Sequence, residues 1–247
     1  MITQAELQGH WRRGWIKAPG FEDHTTRVHW LQAGALFVDL RVPLDRPQLG
    51  TARCLADLPH SILAELMLAE GFAGHTTLEK DRCTWHREIN WHGQTDTPDI
   101  GQLSRDGKTL IEDGVLADFR EQWLRQETSG LRAHRIRTGT QQGVLIENDV
   151  TFAIGLGTAP LPRRSTDLIA ALKAGTAQTP DIRRHFDSIY CLGEWDGPHG
   201  RAVLSTNPFC EGQLVLQRGE GLTWHAPGFD GDGADSPLHI TGETMPQ

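Results

Sequence analysis

The sequence predicts a mainly β, antiparallel protein, and three observations carry that prediction. Short runs of alternating apolar and polar residues dominate the chain, broken by Gly, Pro, Asn and Asp at strand–turn–strand spacing. The runs fall into a first group of eight and a second of seven, and roughly eight strands suffice to close a small barrel. Only two segments carry a helical pattern. No regular β-α-β alternation is present, which argues against a Rossmann or TIM-barrel enzyme.

The first group comprises residues 14–17, 27–32, 35–42, 72–79, 83–92, 100–105, 109–113 and 118–125. In 35–42, Leu36, Val38, Leu40 and Val42 share one face while Phe37, Asp39 and Arg41 share the other. Residues 61–69 follow Pro59, start at Ser61 and stop before Gly71, a helix with its signals in the preferred places. The second group comprises 133–138, 142–148, 150–156, 188–195, 201–206, 213–218 and 222–225. Asn148-Asp149, between two apolar runs, signals a tight hairpin. Within this group 166–174 reads as a second helix, capped by Thr166 or Asp167, striped by Leu168, Ile169 and Leu172, and ended by Gly175. Residues 228–235 place Asp230, Asp232 and Asp235 among glycines but lack the EF-hand spacing and its terminal glutamate, so they read as an acidic loop. Beyond Thr241 a frayed tail is expected.

Composition narrows the partners. The 247 residues carry 24 Lys+Arg against 32 Asp+Glu, a formal charge of −8. The dense basic groups, 132–137, Arg163-Arg164 and Arg183-Arg184, are short and scattered, so nucleic acid is not an expected partner. No run approaches the roughly 18 apolar residues of a membrane span, and residues 1–6 lack the basic and apolar regions of a secretory signal. Cys54, Cys83, Cys191 and Cys210 form no Cys-x-x-Cys pair and read as reduced thiols of a cytoplasmic protein. The aromatic set is unusual: 8 Trp and 8 Phe against 1 Tyr, so nearly half of the large rings are indoles, each needing a partner for its N–H.

Strand parity identifies where chemistry could sit. In 83–91 the odd positions are Cys83, Trp85, Arg87, Ile89 and Trp91, a face that is apolar except for one guanidinium. That charge can stack on the indoles, but its burial demands a carboxylate. Glu121, between Phe119 and Trp123 on 118–125, can supply it, and Asp39, Arg41 and Glu112 are further candidates. Turned into a barrel, these groups would form an aromatic pocket with converging charges; the alternative is a structural Arg–Glu pair closing one barrel end. His86 is chemically suited to act as a base, but its even parity places it opposite Arg87. His29, His86 and His92 have no fixed mutual spacing, so neither a metal nor a cofactor is expected. A Gly-x-Ser-x-Gly elbow is absent, Ser205 reads as a turn former, and no helix directly follows Gly155 and Gly157 to cradle a phosphate. Glu194, Trp195 and Glu211 form a second polar-aromatic group, readable as a pocket or as an interface.

Several segments carry a family resemblance. Residues 11–16 (Trp-Arg-Arg-Gly-Trp-Ile), Trp30-Leu31-Gln32 with 36–41, Trp85-His86-Arg87, and Glu112-Asp113-Gly114 followed by Phe119-x-Glu121-x-Trp123 resemble a group of bacterial proteins. Those are similar in turn to a fungal two-lobed, lipocalin-like family of the calycin superfamily. The resemblance implies two lipocalin-like barrels and small-ligand binding, and it brings no catalytic residues.

The expectation is therefore two lipocalin-like antiparallel β-barrel lobes, each with a short helix, spanning residues 10–126 and 130–242. Functionally, the first reading is a binding protein for a small, partly apolar, anionic molecule. Trp85, Trp91 and Trp123 would wall the site beside Phe37 and Glu112, and Arg87 or Arg41 would hold the anionic group. The second reading is a cofactor-independent lyase, isomerase or hydrolase. It would use Glu121 or Asp39 as acid/base, Arg87 as electrostatic stabiliser and His86 as an alternative base. The third is a structural or homo-oligomerising module.

Overall fold

A computed structural model describes residues 1–159, 162, 164–233 and 235–244. Each half of the chain closes into an antiparallel barrel of eight strands, with few short helices. The first half contains α1 (Gln4–Leu7), β1 (Gly9–Ala18), β2 (Phe21–Asp23), β3 (Arg27–Ala33), β4 (Leu36–Val42), α2 (His60–Leu66), β5 (Glu70–Glu79), β6 (Arg82–Asn90), β7 (Asp99–Asp106), β8 (Thr109–Gly114) and β9 (Arg120–Arg125). β1 bonds to β3 on one side and to β9 on the other, which closes the ring, while β2 folds back onto the far end of β1. β1 begins five residues before its expected start at Gly14, because Trp11 and Arg13 both face inward and a charge on that face hides the alternation.

The second half contains β10 (Arg132–Thr138), β11 (Gln141–Glu147), β12 (Thr151–Gly157), α3 (Thr166–Lys173), α4 (Thr179–Phe186), β13 (Ile189–Asp196), β14 (His199–Ser205), β15 (Leu214–Arg218), β16 (Leu222–Trp224) and β17 (Ser236–Thr244). The Asn148 hairpin forms as expected: its side-chain oxygen accepts from the backbone N–H groups of Val150 and Thr151, both at 2.8 Å. Besides β2, which the sequence reading does not contain, three elements depart from it. β17 replaces the expected frayed tail and pairs with β10 and β16 to complete the second ring; Leu238 is buried but Ile240 is 47% exposed, so the strand shows no clear alternation. α4 buries only Ile182 and Phe186, too few apolar positions to declare a helix. α1 is a single turn held by a Thr3–Glu6 capping box. The acidic loop is anchored through Asp230 to Arg183 and through Asp235 to His225, and of its residues 234 lies outside the described set, as do Arg163 and residues 245–247.

One irregularity matters for the site. Along β5 and β6, Ala73 pairs with Ile89 but Gly74 pairs with Arg87, so Glu88 is the extra residue of a β-bulge. Gly74 is required there, since a Cβ would lie 1.9 Å from the His86 carbonyl oxygen. The bulge reverses parity. Cys83, Trp85 and Arg87 face the lumen, whereas Ile89 and Trp91 face out into an apolar layer between the lobes.

That layer is the largest apolar cluster of the molecule and joins Val38, Leu40 and Ala73 of the first lobe to Val144, Ile146, Ala153 and Leu192 of the second, with α2 packed against them. Tyr190 sits at its centre, so close to Gly71 that a Cβ there would lie 2.3 Å from its ring. Each large side chain buried in such a layer contributes roughly 1.5–3 kcal/mol, so the barrels are packed as one body.

Candidate functional site: the polar half of the first barrel

The lumen of the first barrel is layered. One half is a stack of indoles: Trp30 meets Trp85 and Trp123 edge-on at 5.6 and 5.5 Å and stacks against Trp11 at 6.0 Å. The segment containing α1 crosses this end, burying Ile2 and Leu7, and Trp11 Nε1 donates to the Leu7 carbonyl at 2.8 Å. This half is packed core.

The other half is ionic. Inward-facing positions of β1, β4, β6, β8 and β9 bring in Arg13, Asp39, Arg41, Arg87, Glu112 and Glu121, while β2 and β7 add Asp23 and Asp99. Arg13 donates to Glu121 at 2.8 Å and to Asp23 at 2.9 Å. Arg41 donates to Asp39 at 2.9 Å and lies 3.8 Å from Glu121. Arg87 holds Asp99 through two N–H groups at 2.6 and 3.1 Å, and its guanidinium lies 3.5 Å from the Phe72 ring centroid. Arg41 approaches the same ring at 5.0 Å, so both cations pack against Phe72.

Glu112 has no arginine of its own. Trp123 Nε1 donates to it at 3.0 Å, and it faces Glu121 across the β8–β9 register. Gly101 makes room for it, since a Cβ at that position would lie 2.6 Å from its side chain. Burial pushes the Glu112 carboxyl well above the usual range, and the charges of Glu121 and Asp99 push it further. Burial also raises Glu121 and Asp39, against the pull of Arg41 on each and of Arg13 on Glu121. Asp23 behaves differently: burial opposes its charge, yet hydrogen bonds from Thr26 and Thr25 hold it below the ordinary value. Asp39, Glu112 and Glu121 are 3%, 4% and 2% exposed, so most of the ionic layer is enclosed within the barrel. The Arg87–Asp99 pair alone of this layer opens to a cavity, of about 240 Å³, which Pro98, Leu116 and Phe119 also line.

The structure thus brings together Phe37, Asp39, Arg41, Trp85, Arg87, Glu112, Glu121 and Trp123 in one lumen. It separates two of the expected site residues. Trp91 belongs to the inter-lobe layer because the bulge at Glu88 reverses the strand, and it walls no part of this lumen. His86 lies on the outer face, stacked on His75 at 4.5 Å and hydrogen-bonded to Thr77. Nor is Arg41 or Arg87 a free cation awaiting an anion, since Asp39 and Asp99 already occupy them. Sequence reading missed Arg13, Asp23 and Asp99. For Arg13 a signal was present: Trp11-x-Arg13 repeats the indole-x-charge spacing of Trp85-x-Arg87 and Glu121-x-Trp123.

Among the described residues no group of three or more His, Cys, Asp or Glu is arranged to hold a metal ion, and no helix is long and apolar enough to cross a membrane. These features define a chain of two closed antiparallel barrels, one of which carries a buried ionic layer. No family model matches it and no curated protein does. Its fold is similar to the crystal structure of YLR301w, an uncharacterized protein of Saccharomyces cerevisiae, with a TM-score of 0.54 and 10% identity over 96% of this chain and 98% of that one. That likeness concerns the fold alone.

Proposed function

We propose that the chain is a small-molecule binding protein of calycin type, cytoplasmic, with its site at the mouth of the first barrel. The observation that carries this reading is the Arg87–Asp99 pair, the part of the ionic layer that opens to a cavity, in a barrel whose companion closes with far fewer charges. The four cysteines, all free and buried, agree with a reducing compartment. The ligand is partly apolar, resting on Phe119 and Leu116, and carries an anionic group that competes with Asp99 for Arg87. The fit is tested by thermal-shift titration with benzoate and indole-3-carboxylate against wild type and Arg87→Gln. A rise in melting temperature in wild type that the substitution abolishes is expected. No rise in wild type, or an equal rise in both proteins, overturns the reading.

One observation favours a second reading. A carboxyl whose pKa is raised by burial, as that of Glu112 is, suits a general acid, and perturbed carboxyls cluster at catalytic sites. In that case Glu121→Gln and Glu112→Gln would abolish turnover of a metabolite pool that wild type converts; turnover indifferent to both removes the acid/base pair.

A further inference from the structure

The cavity at the mouth of the first barrel is lined, among the described residues, by two cations and two anions: Arg87 paired with Asp99, and Arg164 paired with Asp96. Its wall therefore carries no net charge. Behind it, Arg13 and Arg41 stand among Asp23, Asp39, Glu112 and Glu121, and the whole chain has a formal charge of −8. No excess of positive charge draws a simple anion to Arg87.

The Arg87–Asp99 pair is also one-sided. Nε and Nη2 of Arg87 both donate to a single oxygen, Asp99 Oδ2, at 3.1 and 2.6 Å. Arg87 Nη1 and Asp99 Oδ1 make no hydrogen bond among the described residues, and neither atom is sealed from solvent. The two side chains are 18% and 22% exposed, so each partner keeps a polar position that a bound molecule can reach. An anionic group that takes Arg87 from Asp99 leaves this largely buried carboxylate without its cation, and stripping one partner of such a pair is costly. A ligand that brings an ammonium group as well gives Asp99 a new partner.

We infer that the ligand of this site is a zwitterion, an α-amino acid with an apolar side chain, its carboxylate on Arg87 and its ammonium on Asp99; the inference rests on the barrel-mouth site proposed above. The two charged groups of an α-amino acid hang from one carbon, which suits a cation and an anion already in contact. Its side chain lies on Leu116 and Phe119, and a cavity of about 240 Å³ has room for one such side chain. A molecule neutral overall leaves the charge balance of the wall unchanged, whereas a simple anion upsets it.

The test is calorimetric titration at pH 7 with L-phenylalanine and L-leucine, each compared with the same skeleton lacking the ammonium, 3-phenylpropionate and 4-methylpentanoate. Wild type is expected to bind all the ligands of at least one pair, the amino acid about tenfold or more tightly than its deaminated acid, which is the worth of one hydrogen bond between charged groups. Asp99→Asn is expected to remove that advantage and to bind the deaminated acid no more weakly than wild type does, because the competing charge on Arg87 is gone. Arg87→Gln is expected to abolish binding of both. Deaminated acids that bind wild type as tightly as the amino acids, with Arg87→Gln still abolishing binding, leave an anion site standing and overturn the zwitterion. An amino-acid advantage that survives Asp99→Asn overturns it too. No binding of any of the four, or binding indifferent to Arg87→Gln, removes the barrel-mouth site itself and the inference with it. The wild-type comparison decides between these outcomes even where Asp99→Asn fails to fold.

Discussion

The two barrels have the same number of strands and the same closure, yet they are filled differently. The second lumen is packed with Leu145, Phe152, Ile154, Trp195, Leu216 and Trp224. It carries one small ionic group at its end, where Glu147 accepts from Arg218 at 2.7 Å and lies 3.5 Å from His134, with Arg218 stacked 3.7 Å from the Trp195 ring centroid. The first barrel sets Arg13, Arg41 and Arg87 among a larger number of carboxylates. Closing a barrel of this size therefore needs few buried ions. Burying ions is rarely a net gain over apolar packing, so the ionic layer of the first barrel points to use rather than to construction.

The largest expected effect tests that contrast directly. Arg13 bridges Asp23 and Glu121, and its side chain is 6% exposed. Arg13→Met leaves Glu121 with Arg41 at a longer distance and Asp23 without its ion pair, so a loss of about 3–5 kcal/mol is expected, the usual result of breaking one side of a buried pair. Arg218 is 31% exposed and serves one carboxylate, so Arg218→Met is expected to cost about 1.5–3 kcal/mol, the range for a hydrogen bond to a charged group. Urea unfolding midpoints measure both, with an unchanged slope confirming that only stability has moved. Equal losses would erase the distinction between the barrels.

A smaller effect probes what joins them. Gly71 in the first lobe and Gly155 in the second both face the Tyr190 ring, with Cβ positions 2.3 and 2.9 Å from it. Gly71→Ala drives a methyl into a ring that is completely buried, and overpacking of this kind costs about 1–3 kcal/mol. Combining it with Tyr190→Leu is expected to recover part of that loss, a coupling that a double-mutant cycle detects. Strict additivity would mean that the contact between the lobes is looser than the packing shows.

The sequence made the barrels legible because most of their strands alternate cleanly: 35–42 and 109–113 read correctly to within a residue or so of β4 and β8. Alternation also put Arg87 among indoles and Glu121 between two aromatics, and it grouped Asp39 with Arg41 on one face without saying whether that face was solvent or barrel interior; Glu112 was named from its place at a strand end. It failed where geometry is not periodic. Parity was carried through Glu88 as though β6 were regular, and nothing in the residues 83–91 announces the bulge; Gly74, on the partner strand, is its signal. Asp99 lies in a stretch with no apolar repeat, and β17 has too little buried surface to stand out. A cavity of about 540 Å³ between the lobes was illegible for a different reason: it is assembled from residues 90–93 and from the α3 and α4 region, segments far apart in sequence whose meeting depends on packing of the lobes.

The smallest expected effect has opposite signs in the two barrels. Burial opposes the charge of Glu147, but hydrogen bonds from His134 and Arg218 lower its pKa below the model-peptide value of 4.5. Its unfolded form takes up a proton first as the pH falls, so its contribution to stability is present above pH 4.5 and disappears on acidification through the lowered value. Glu112, raised by burial and by Glu121 and Asp99, holds its proton in the folded state after the unfolded chain has released it. Its contribution is therefore present below pH 4.5 and is lost as the pH rises through the raised value. Glu147→Gln should flatten the acid limb of the stability curve and Glu112→Gln the limb above pH 4.5, both followed by urea midpoints across pH 3–9. If Glu112→Gln left the upper limb unchanged, Glu112 would be ionised in the folded state. The first barrel would then hold its excess of carboxylates fully charged, a harder electrostatic problem than the second barrel faces, and the case for a cation as its natural ligand would replace the case for an anion.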